Sequence, residues 1–93
     1  MPSGDRSANL LKAIECYDSA LRVRTESDFP RDFAETSFNK GLTLLHQAQH
    51  TSDAGLLPQA HDCFTAAARA FNKVGLPEYA ARVQDMADQL PPP

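Results

Sequence analysis

The stretch Ala13-Ile14-Glu15-Cys16-Tyr17-Asp18-Ser19-Ala20-Leu21-Arg22 returns 47 residues later as Ala60-His61-Asp62-Cys63-Phe64-Thr65-Ala66-Ala67-Ala68-Arg69. In both copies an alanine, an aromatic and a second alanine fall four and then three residues apart, the spacing that lines side chains along one face of a helix. The same offset sets Leu10 against Leu57, Pro30 against Pro77 and Ala34 against Ala81, with Phe29 and Leu76 as a similar pair. Helical positions and interhelix prolines keep one register without a gap. The chain therefore reads as one domain over residues 1–93, made of two copies of a helix–loop–helix unit.

Working outward, turn residues divide the sequence into four segments. Gly4-Asp5, Phe29-Pro30, His50–Gly55, Gly75-Leu76-Pro77 and Pro91-Pro92-Pro93 are the breaks. Helices are expected at about 7–25, 30–49, 57–74 and 77–90. Their apolar faces are Leu10, Ala13, Ile14, Tyr17, Ala20 and Leu21, then Phe33, Ala34, Phe38, Leu42, Leu45 and Ala48. In the third segment they are Leu57, Ala60, Phe64, Ala67 and Phe71, and in the fourth Tyr79, Val83, Met86 and Leu90. Pro30, Pro58 and Pro77 stand near helix starts, where a missing N–H is harmless, and Gly75 is placed for a left-handed helix end. No segment alternates with period two. The expected fold is all-α, four helices in an antiparallel array with short connections.

Composition narrows the function. Nine basic against twelve acidic residues give a net charge of −3, without the basic excess of a nucleic-acid or anionic-membrane surface. No apolar run approaches the roughly 20 residues of a membrane span. The opening Met-Pro-Ser-Gly-Asp-Arg lacks the apolar stretch of a signal peptide, and two cysteines then point to reduced thiols and a cytoplasmic location. Cys16 and Cys63 are read as small apolar residues on a face that packs against a neighbouring helix. Glu15, Asp18 and Glu26 with Arg22 and Arg24 read as a solvated charged helix face.

The A-x3-aromatic-x2-A spacing of Ala13–Ala20 and Ala60–Ala67 resembles the second helix of a tetratricopeptide repeat. Gly41 with Leu44 is similar to the Gly-x2-aromatic piece of the first helix, a leucine replacing the aromatic. Ser37 and Lys40 depart from the Trp and Leu of the family, and the 47-residue period exceeds its usual 34. Gly4-Asp5-Arg6, Asn9-Leu10, Val23-Arg24-Thr25 and Phe29-Pro30 are similar to a long-helix variety found in large bacterial signalling proteins. In this phase the chain opens on a second-type helix, so segments two and three form the complete repeat between two half-repeats. The half-repeats imply apolar flanks and self-association, as a homodimer.

The resemblance implies a concave groove lined by first-type helices and holding a peptide or protein partner. The residues facing it would be Glu35, Phe38, Asn39, Leu42 and His46. Phe38 and Leu42 lie one turn apart, as anchors for an apolar partner do, although core packing explains the same spacing. Asn39 matches one position of the family members that clamp a peptide carboxylate, but Leu42 stands where a second Asn is usual. Metal binding is a minor alternative: His46 and His50 have i, i+4 spacing with His61 and Cys63 beyond the loop, and no Cys-x2-Cys pair joins them. There is no phosphate loop, nucleophile elbow or His-Glu-x-x-His run, so no catalytic residue or cofactor is assigned and the chain is not read as an enzyme. The expected function is a non-catalytic protein-interaction or assembly module. The alternative is a structural segment of a longer repeat scaffold in a bacterial signalling protein.

Overall fold

The computed structural model describes the backbone of residues 6–90 and the side chains of residues 12–90. It contains α1 (Arg6–Val23), α2 (Pro30–Thr51), a 3₁₀ turn (Ala54–Leu56), α3 (Leu57–Lys73) and α4 (Pro77–Asp88). The fold is all-α, with no strand among the described residues. α2 packs between α1 and α3, α3 packs between α2 and α4, and consecutive helices run antiparallel. No described helix is long and apolar enough to cross a membrane. The side chain of Leu10 and the Pro91-Pro92-Pro93 tail lie outside the described residues.

The helix starts follow from the prolines. Phe29, immediately before Pro30, has φ −135° and ψ 64°, and Leu76, before Pro77, has φ −117° and ψ 64°. A residue ahead of proline is pushed out of the helical region, so chain entry is fixed there without a side-chain cap. The carbonyls of Phe29 and Leu76 then accept the first helical bonds, from the N–H of Phe33 at 2.8 Å and of Ala80 at 3.0 Å. The two junctions are 47 residues apart and nearly share one backbone geometry.

The ends differ more from the expectation. α3 stops at Gly75, whose φ of 77° suits a residue without Cβ; Leu76 N–H donates back to the Phe71 carbonyl at 2.9 Å and Gly75 N–H to that of Asn72 at 3.2 Å. α2 runs past Gln49 to Thr51 and ends on Ser52, also left-handed at φ 56°. The following loop is a single 3₁₀ turn, capped where Gly55 N–H donates to the Asp53 carboxylate at 3.0 Å. α4 stops at Asp88 rather than Leu90, its last turn tightened where Leu90 N–H donates to the Ala87 carbonyl at 3.0 Å.

The core centres on α3. Phe64 is fully buried, Leu44 is 2% exposed, and Ala60, Ala67 and Ala70 have no exposure at all. α2 meets α3 at Gly41, where an added Cβ would lie 2.7 Å from the Phe64 ring. Glycine there lets the two backbones close over the phenyl ring. Burying that ring contributes about 2–3 kcal/mol. Buried Ser37 and Thr43 share α2 with Gly41; Thr43 donates its hydroxyl to the Asn39 carbonyl at 3.0 Å, satisfying the group inside its own helix.

Four sequence expectations need correction. Cys16 is exposed, whereas Cys63 is half-buried, because among the described residues no helix packs on the outer side of α1. Ala81 is exposed although its partner in the repeat, Ala34, is fully buried, for the matching reason at α4. Tyr79 stands 55% exposed at the edge of α4 instead of joining the core. The charged residues near α1 reach across elements: Asp18 pairs with Lys40 at 2.6 Å, Arg24 with Asp32 at 2.7 Å, and Glu26 lies beyond α1 altogether.

Candidate functional site

A broad cleft with an apolar floor lies between the N-terminal half of α2 and one face of α4, helices that both pack on α3 and barely touch each other. α2 supplies Arg31, Glu35 and Phe38, one helical face at spacings of three and four. α4 supplies Tyr79, Arg82, Val83 and Met86 in the same rhythm. Between them, Phe71 at the end of α3 and Leu76 from the following turn complete the floor. The left-handed Gly75 directs Leu76 back over Phe71, so the end of α3 also shapes the site. The cavity measures about 430 Å³, within the range of small-ligand and side-chain pockets.

Aromatic contacts hold its walls. Phe38 and Phe64 have ring centroids 5.9 Å apart, tilted by 51°, and Phe71 and Tyr79 are 5.7 Å apart, tilted by 33°. Such offset pairs add about 0.5–1.5 kcal/mol beyond burial. Phe38 therefore belongs to both core and cleft, while Tyr79 packs on Phe71 and remains more than half exposed. On the rim, Arg31 and Glu35 form a long i, i+4 pair at 3.5 Å. Among the described residues Arg82 has no carboxylate within 4 Å.

Of the five positions that the sequence places on a groove, Glu35 and Phe38 line this cleft. Asn39, Leu42 and His46 do not. Leu42 is half-buried and packs on the core, and Asn39 and His46 are exposed farther along α2. Phe71, Val83 and Met86 were visible in the sequence only as core-spaced apolar residues. Leu76 was visible only as a turn residue, and nothing local marked Arg82.

Glu26, in the α1–α2 connection, accepts two hydrogen bonds from Arg69 at 2.8 Å each, and Lys73 approaches at 2.9 Å. The Arg69 hydrogen bonds, and then that of Lys73, lower the Glu26 carboxyl to about 2; the same contact raises Arg69. Burial pushes the Cys63 thiol above its ordinary value, which keeps it protonated and unreactive at neutral pH. His46 and His50 are exposed on α2, and no group of three or more His, Cys, Asp or Glu side chains among the described residues is placed to hold a metal.

Compared with family models, with curated proteins and with solved structures, the chain finds no match. The cleft has to be read on its own chemistry.

Proposed function

We propose that this chain is a tetratricopeptide-type helical-repeat module, without catalytic activity, that binds a protein or peptide partner in the α2–α4 cleft. The observation carrying this reading is the cleft itself: an apolar floor, about 430 Å³ in volume, flanked by a tyrosine more than half exposed. Tyrosine in that setting offers a large contact area with little entropy to lose, a property of interface hot spots. The repeat type is supported by the Gly41–Phe64 contact and by the matched Phe29-Pro30 and Leu76-Pro77 junctions. A reducing, cytoplasmic setting fits its two free thiols.

A displayed peptide library selected on the whole chain tests this. Selected peptides should lose affinity about tenfold or more on Tyr79→Ala, with the melting temperature lowered by only several degrees through loss of the Phe71 ring contact. Phe38→Ala should weaken binding and stability together, since its ring also packs on Phe64. Peptides whose affinity ignores Tyr79→Ala would sink the cleft assignment.

A second reading, assembly, is favoured by one observation. Cys16 is exposed on α1 at the position where Cys63, its repeat partner, is packed. In this reading the outer face of α1 is covered by a further helix, from a longer array or from a second copy in a homodimer.

A further inference from the structure

We infer that the segment bound in the α2–α4 cleft carries a carboxylate beside an apolar anchor, an inference resting on the cleft reading above. The lining holds three charged side chains, Arg31, Glu35 and Arg82. Arg31 and Glu35 face each other at 3.5 Å and largely cancel. That leaves the Arg82 guanidinium, exposed and free of any carboxylate within 4 Å among the described residues, above a floor of Phe38, Val83 and Met86. The cleft is thus locally cationic on a chain whose net charge is −3. A basic segment is attracted by the molecule as a whole but meets Arg82 at the site; a neutral one leaves the guanidinium uncompensated as it loses water. An acidic one pairs with it, and guanidinium–carboxylate pairing is bidentate and directional.

Geometry sets the form of the segment. A cavity of this size admits one or two leucine- or methionine-sized side chains, with the carboxylate reaching the rim roughly one helical turn away. Glu78, four residues before Arg82, is the chain's own competitor. It lies outside the cleft lining but shares the adjoining hollow over Gly75 and Pro77 with Arg82, and its absence should strengthen binding.

The test uses three synthetic twelve-residue peptides, identical in two leucines spaced i, i+4 and bearing Glu, Gln or Lys at the flanking positions. Amide chemical shifts of the whole chain are followed on titration. The Glu peptide should perturb Phe38, Phe71, Tyr79 and Arg82 and bind at least about fivefold tighter than the Gln peptide. That advantage should vanish in Arg82→Gln, shrink in 0.5 M salt and grow in Glu78→Gln. Equal affinities for the Glu and Gln peptides, or a tighter Lys peptide, would overturn the carboxylate inference while leaving an apolar cleft intact. Peptides that bind elsewhere, or none that bind, would overturn the inference together with the cleft reading beneath it.

Discussion

At the scale of single residues, the contact between Gly41 and Phe64 governs how closely α2 and α3 approach. Alanine at 41 gains about 1 kcal/mol of helix propensity, yet its Cβ would sit 2.7 Å from a ring that is buried on every side. Overpacking of that kind costs about 1–3 kcal/mol, so Gly41→Ala should lower stability in a thermal or urea melt. Ala67→Leu, at a fully buried site, should lose about 1–3 kcal/mol in the same assay. Ala20→Leu should lose clearly less, because Ala20 is only half-buried. The two alanines are indistinguishable in local sequence. What separates them is whether a helix lies opposite, and the spacing inside one helix holds no record of that.

Among elements, proline and glycine made the helix starts and the end of α3 readable, because their backbone preferences act within a residue or two. The Glu26 clasp was not readable: its partner Arg69 is 43 residues away, and Glu26 looked like one more charge beside α1. With its carboxyl held near 2 instead of 4.5, Glu26 stabilises the fold fully above about pH 5, and the contribution fades as pH falls towards 2. Arg69 and Lys73 are each more than half exposed, so water screens much of the pairing. Glu26→Gln should therefore cost about 1 kcal/mol at pH 7, and the stability curves of parent and variant should meet near pH 2. Parallel curves across that range would mean that the clasp contributes nothing to stability.

For the molecule as a whole, the all-α architecture was legible because both copies of the unit repeat its punctuation along with its apolar face. The cleft was half legible. Glu35 and Phe38 share a helix face that sequence reveals, whereas Tyr79 and Arg82 reach them only after α3 has brought α4 alongside. Asn39, Leu42 and His46 share that face too, but among the described residues the lining of the cleft from α2 ends at Phe38. Association is the property that belongs to this scale. If a second copy covers the outer face of α1, light scattering should show a dimer forming between micromolar and millimolar concentrations, and Cys16→Arg should shift it towards monomer. A monomer throughout would remove the homodimer.

The helices are also unequally tied. α3 is held by α2 along one side, by α4 along another and by the Glu26 clasp near its end, whereas α1 packs chiefly on α2. Opening therefore has an order. Amide protons of α1 should exchange with deuterated solvent first, through a partial unfolding that leaves the cleft assembled, and those in the middle of α3 should exchange only with global unfolding. Loss of protection at α1 and at the cleft in a single step would mean that the chain opens as one unit. In the ordered case, whatever occupies the cleft would slow exchange in α3 and α4 and leave that of α1 almost untouched, so binding at one end of the molecule would pass unnoticed at the other.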